Sequence, residues 1–223
     1  MGGSLSPGLA LIFDMDGVVV DSNGAHRETW ILFNRRYGLE TTEAMLEFMY
    51  GRRNDEIVRG FFGEDLPDAE VAARGAAKEQ LFRETMAGKV EEHLTAGLLE
   101  FLERHRAGPM AVASNAEPAN VNFILDQAGL RPYFRAVVDG HQVERPKPYP
   151  DIYLRAAELL RTRPADCLVF EDSHSGVKAA LAAGMRVAGI SSTHAELPGA
   201  AVVVDDFLDP RLETWMKAQT RAA

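Results

Sequence analysis

The chain has 223 residues, 46% of them hydrophobic, a formal net charge of −9 and one cysteine. That apolar fraction excludes a disordered chain, and the length suits one core domain with a small insertion. The acidic balance argues against a nucleic-acid groove or an anionic membrane as partner, since both require basic patches; Cys167, in the apolar run CLVF, has no internal disulfide partner and reads as a buried thiol.

The opening MGGSLSPG carries no Lys or Arg ahead of LALIF, and five apolar residues are too few for a signal peptide or a membrane span. No later run approaches the ~20 apolar residues that a spanning helix needs. A soluble, cytoplasmic protein is expected. Leu9–Phe13 predicts a first buried strand. From 24 to 92 no strand is recognisable, and apolar residues fall at helical spacing: Trp30, Ile31, Phe33 and Tyr37, then Met45, Leu46 and Met49, then Ile57 and Phe61, then Ala72, Ala76 and Leu81. The remainder alternates. Strands are predicted at Met110–Ala113, Ala136–Val138, Cys167–Phe170, Arg186–Ile190 and Ala201–Val204. Helices are led by Leu98, Leu99, Phe101 and Leu102, by Val121, Ile124, Leu125 and Ala128, by Ile152, Leu154, Ala157, Leu159 and Leu160, and by Val177, Ala180 and Leu181. Gly129 and Gly184 punctuate helix ends, and 217–223 read as a frayed end. Continuous apolar strands alternating with helices predict an α/β fold, a doubly wound parallel sheet. The expected organisation is a core domain of 1–23 and 93–223 with an inserted helical domain at 24–92.

Open parallel sheets bind ligands beyond the carboxyl ends of their strands. There the sequence places FDMDGVVVDS, with Asp14 and Asp16; ASN, with Ser114; ERPKPYPD, with Lys147; and EDSHSG, with Glu171 and Asp172. Clustered carboxylates repel one another unless a cation sits among them. An all-oxygen donor set selects Mg²⁺, which favours a phosphate oxygen in its shell, and no His/Cys cluster favours zinc. Lys147 adds positive charge, while Ser114 and backbone amides add hydrogen bonds.

The strings FDMDGVVVDS, VASN, KPYPDIY and VFEDSHSGVKAA resemble the four motifs of the haloacid dehalogenase superfamily, in that family's order and over the whole chain. Within it the chain is most similar to the sugar-phosphate phosphatases and the β-phosphoglucomutase-like group. The resemblance implies that Asp14 attacks phosphorus and that Asp16 serves as acid, then base. It implies that Asp14, the Asp16 carbonyl and Asp172 hold Mg²⁺, with Glu171 ligating directly or through water. Ser114, Asn115 and Lys147 would bind the phosphoryl group. The insert becomes a cap, on which His26 and Lys78 match substrate-coupled positions; Arg52 or Arg53 is a further candidate contact. His174 is read as structural.

The function expected is hydrolysis of a small sugar or polyol phosphate by a monomer or weak homodimer, the cap favouring small substrates. The alternative is an isomerase of the β-phosphoglucomutase type, and a non-catalytic module is a third reading. Carbon–halogen hydrolysis needs neither Asp16 nor Mg²⁺. Phosphonate-cleaving relatives lack the second acid.

Overall fold

The computed structural model describes residues 9–50 and 52–220. Six parallel strands form one sheet in the order β3-β2-β1-β4-β5-β6. They are β1 (Ala10–Phe13), β2 (Met110–Ala113), β3 (Ala136–Val138), β4 (Cys167–Glu171), β5 (Arg186–Ile190) and β6 (Val202–Val204). Each lies within one residue of its predicted span at either end. Chain order runs outward from β1 to β3, crosses back to β4 and runs outward again, so the topological switch falls between β1 and β4.

Alternation along the strands sorts two unlike cores. Leu11, Phe13, Met110, Val112, Leu168 and Phe170 point to one face, where Phe13 stacks on Phe170 at 4.7 Å and meets Phe101, Phe134 and Phe207. Ala10, Ile12, Ala111, Ala113 and Cys167 point to the other. Their small side chains bring α7 (Asp151–Leu160) and α8 (His174–Ala182) close to the sheet. The bulky face is covered by α5 (Leu98–His105), α6 (Pro118–Gln127) and α9 (Pro210–Thr220).

Helix α9 corrects the expectation of a frayed end, because 217–220 continue it; 221–223 lie outside the described residues. Leu212 and Met216, four apart on one helix face, bury against the aromatic core and hold the helix down. Positive φ at Gly129 and Gly184 fits their expected place just beyond α6 and α8.

Between β1 and β2 lie α1 (Asn23–Arg36), α2 (Glu43–Met49), α3 (Asn54–Phe62) and α4 (Asp68–Met86). They share a separate apolar cluster built on Trp30, Phe33, Leu46, Ile57, Val58 and Val71. The end of α4 departs from it: Phe82 and Met86 pack into the bulky-face core, so one long helix spans both clusters. No helix among the described residues is long and apolar enough to cross a membrane.

Candidate active site

Strand β1 ends at Phe13, and the ladder continues one step as the Asp14 amide donates to the Phe170 carbonyl at 3.0 Å. This fixes Asp14 at the switch point beside the end of β4. The chain then turns tightly: the amides of Val18, Val19 and Val20 all donate to the Met15 carbonyl. Gly17 has φ +79°, and a Cβ there would lie 1.9 Å from Asp172 Oδ2, so only glycine lets this turn approach Asp172.

Lys147 joins the two sides. Its Nζ lies 2.7 Å from Asp14 Oδ1 and 2.6 Å from Glu171 Oε1. Burial opposes the charge on Lys147, but Asp14 and Glu171 outweigh it and hold the ammonium above its ordinary pKa. Glu171 is fully buried and saturated with donors. Oε1 also accepts from Tyr153 Oη at 2.6 Å, and Oε2 accepts from the amides of Asp172 and Ser173 and from Ser173 Oγ. A Cβ on Gly176 would fall 1.7 Å from Oε1, so α8 can start here only with glycine in its first turn. Ser173 Oγ also caps α8 by accepting from the Gly176 amide at 3.1 Å. The Glu-Asp-Ser run is therefore a helix cap and part of the site together.

Asp14, Glu171 and Asp172 bring one carboxylate oxygen each within 4.8 Å of one another. Burial, and next the charge of Glu171, push Asp172 up to about 7; burial likewise raises Asp14, against the pull of Lys147. Three buried carboxylates share one ammonium, a donor set that fits a hard divalent cation. Asp172 is further held by Thr193 Oγ1, which in turn accepts from Asn23 Nδ2 at 2.6 Å.

Asp16 faces the helical insert. Its Oδ1 accepts from Ser22 Oγ and lies 3.4 Å from His26 Nε2. Burial opposes its ionisation, but the bonds to His26 and Ser22 and the charge of Lys78 prevail and hold the carboxyl below its ordinary value. His26 Nδ1 sits 2.7 Å from Lys78 Nζ. An ammonium only donates, so Nδ1 accepts and the ring proton stands on Nε2, toward Asp16. His26 stacks on Phe82 with centroids 3.9 Å apart, and Lys78 is buried beside Trp30. Lys78 and His26 are thus joined to the site by contact.

Ser114 is buried, and its Oγ accepts from the Ala116 amide at 3.1 Å. Asn115 Oδ1 accepts from the Lys147 amide, while its Nδ2 is buried with no partner among the described residues. An orphan donor in the cavity that Asp14 and Lys147 also line is suited to an anionic oxygen. Arg53 lines the same cavity, of about 580 Å³, but is paired with Asp55 at 3.6 Å; Arg52 is paired with Glu56. His174 lies apart, stacked on His194 and bonded through Nε2 to the Glu196 carbonyl.

Residues 9–184 match the model of the haloacid dehalogenase-like hydrolases.

The chain belongs to that family.

Among similar proteins, the fructose-1-phosphate phosphatase YqaB of Escherichia coli is 33% identical over 78% of this chain and 92% of its own. The β-phosphoglucomutase of Bacillus subtilis is 29% identical over 92% of this chain and 92% of its own. A crystal structure of β-phosphoglucomutase from Clostridium difficile superposes with a TM-score of 0.85 over 96% of this chain and 97% of that one; at 21% identity it speaks for the fold. Within this haloacid dehalogenase-like site, Tyr153, Thr193, Ser22 and Glu79 escaped the sequence reading. Tyr153 and Ser22 close two of the quoted motif strings and Thr193 and Glu79 lie outside them, but the contact through which each acts is visible only in the folded chain.

Proposed function

We propose that this haloacid dehalogenase-like hydrolase is a Mg²⁺-dependent phosphatase acting on a small phosphomonoester, a sugar or polyol phosphate, in a cytoplasmic setting and as a monomer or weak dimer. The observation that carries the reading is the buried cluster of Asp14, Lys147, Glu171 and Asp172 with Asp16 two residues from the nucleophile. Similarity to a fructose-1-phosphate phosphatase supports the substrate class.

Asp14, the Asp16 carbonyl and Asp172 would hold Mg²⁺, which when bound screens the phosphate charge from the attacking carboxylate. Glu171, with both oxygens engaged by donors, serves Lys147 first. Asp14 Oδ attacks phosphorus and the ester P–O bond breaks, leaving an aspartyl-phosphate. Asp16 gives the leaving oxygen its proton. Its resting, ionised state is that of the base, and the acid form is reached as a phosphate dianion approaches and raises its pKa. In the second half Asp16 takes a proton from water, the water oxygen bonds to phosphorus, and the Asp14–phosphorus bond breaks. Ser114 Oγ, Asn115 Nδ2 and Lys147 Nζ hold the phosphoryl oxygens throughout. Residues 24–92, as the cap, keep bulk water out.

The test is phosphate release from a panel of sugar, polyol and nucleotide monophosphates with Mg²⁺. Turnover concentrated on sugar or polyol phosphates is expected. No release from any monophosphate would overturn the reading.

A further inference from the structure

The cap end of the cavity holds an unusual group, a buried carboxylate. Glu79, on α4, is 3% exposed yet lines the same cavity as Asp14. Its Oε1 accepts from Lys78 Nζ at 2.8 Å and from Asn54 Nδ2 at 2.7 Å, and its Oε2 accepts from Asn120 Nδ2. Asn54 comes from the start of α3 and Asn120 from core helix α6, so Glu79 joins two cap helices to the core. Burial opposes its charge, but Lys78 and the bond from Asn54 hold its carboxyl below its ordinary value.

The charges around it are matched. Lys78 is paired with Glu79, Arg52 with Glu56, Arg53 with Asp55 and Arg59 with Asp68. Arg83, behind Asn120, is paired with Glu117 at 2.6 Å. Each of these cations already has a carboxylate partner, so a second anionic group would meet a compensated wall. A hydroxyl would meet acceptors and donors. A carboxylate offers roughly four lone-pair positions, and three donors to Glu79 leave one on Oε2. Asn54 Oδ1, on a half-buried residue lining the cavity, has no partner among the described residues.

We propose that Glu79, with Asn54, determines specificity at the cap end: the pair reads hydroxyl groups on a neutral, polyhydroxylated substrate tail and turns away a tail bearing a second anionic group. The proposal rests on the phosphatase reading for its reaction, but its content is a binding preference. Asn120 and Lys78 fix the carboxylate in place. Asn54 is set by the close approach of α3 to α4 at Gly75, where a Cβ would lie 3.4 Å from Asn54 Cβ.

Calorimetric binding tests this without turnover. In full-length protein carrying Asp14→Asn, with Mg²⁺, titrations would compare a hexitol 6-phosphate, a hexyl phosphate without hydroxyls and a hexose 1,6-bisphosphate. Asn54→Ala should weaken the hexitol phosphate about tenfold and the hexyl phosphate little, since only the former loses a hydroxyl contact. Glu79→Gln should shift the ratio of bisphosphate to monophosphate affinity about tenfold toward the bisphosphate, by leaving Lys78 uncompensated. Should Glu79→Gln fold poorly, the Asn54→Ala comparison stands alone, because it keeps the Lys78–Glu79 pair. Equal weakening of hexitol and hexyl phosphates by Asn54→Ala would overturn the proposal, as would a bisphosphate ratio unchanged in folded Glu79→Gln. Failure of the phosphatase reading shows separately, as wild-type protein that releases no phosphate from p-nitrophenyl phosphate with Mg²⁺.

Discussion

Lys147 Nζ lies 2.7 Å from Asp14 Oδ1, at the point where β1 and β4 diverge. Burial raises the Asp14 carboxyl well above its ordinary value, and the ammonium is the group that pulls against that rise. Asp14→Asn removes the oxygen proposed to attack phosphorus while Lys147 keeps Glu171 as counter-charge. Turnover should fall at least ~10³-fold, as for other catalytic nucleophiles, with the melting profile preserved. Activity within tenfold of wild type in a folded preparation would contradict the role of Asp14.

Mg²⁺ should raise the melting temperature as well as support turnover. The driving force is the cluster of Asp14, Glu171 and Asp172 around one lysine. A cation that binds only the folded cluster stabilises it by about 2.7 kcal/mol at a hundred times its dissociation constant. EDTA should silence the enzyme and lower the melting temperature, and added Mg²⁺ should restore both. A melting temperature indifferent to Mg²⁺, with full activity in EDTA, would remove the metal from the account.

Tyr153→Phe tests a contact that the sequence reading did not assign. Tyr153 Oη donates to Glu171 Oε1 at 2.6 Å, and both residues are fully buried. Phenylalanine fills the same space but deprives a buried carboxylate of one donor, a loss of about 1–3 kcal/mol. Denaturant unfolding should show that loss. Unchanged stability would mean that Lys147, Ser173 and the β4–α8 amides suffice for Glu171.

The strands were legible because both faces of the sheet are covered, so each reads as a continuous apolar run, and candidate site residues follow several of them. Asp14, Ser114, Glu171 and Asp172 stand at or just past strand ends and Lys147 in the loop after β3, and they line one cavity or touch within it. At the substrate end the resemblance pointed to His26 and Lys78 but not to Glu79. In a sequence Glu79 on a long helix looks like solvated surface, and only α3 and α6, arriving with Asn54 and Asn120, bury it with Lys78. Tyr153 was indistinguishable from an apolar core residue, since the partner of its hydroxyl is on another element. Helix α9 was overlooked because its buried stripe is only Leu212 and Met216, with Trp215 partly covered.

Stability should fall on the acid side through His105. This residue is buried at the end of α5, with neither ring nitrogen hydrogen-bonded among the described residues; Glu213 Oε1 stands 3.6 Å from Nε2. Burial lowers its pKa below 6.5, helped by Arg104 and opposed by Glu213. The unfolded chain then binds the proton more readily than the folded one. The contribution of neutral His105 is fully present above the unfolded value and is lost as pH falls below about 6.5. His105→Phe should flatten the unfolding free energy between about pH 7.5 and pH 5.5 relative to wild type. Parallel pH profiles for the two proteins would exclude His105 as a source of the decline.

The last expectation separates hydrolysis from isomerisation, which matters because relatives of both kinds are similar to this chain. A mutase working through a bisphosphate holds one phosphate beside Asp14 and the other toward the cap. That second phosphate needs unspent positive charge. Here Asn54, near the cap arginines Arg52 and Arg53, is bonded to Glu79, and Glu117, shortly after Ser114, is bonded to Arg83. Glu79 and Glu117 each add a negative charge to the cap end while occupying its cations. In a partly dehydrated cavity that arrangement opposes a second phosphate and leaves water as the acceptor. Given β-glucose 1-phosphate with a trace of the 1,6-bisphosphate, the enzyme should release inorganic phosphate without forming glucose 6-phosphate. Arg83 and Asn120 keep Glu117 and Glu79 in place through a shared bond at 2.6 Å, so the bias is built into the folded cap–core junction. Glucose 6-phosphate accumulating faster than inorganic phosphate would reverse the choice and make the chain an isomerase.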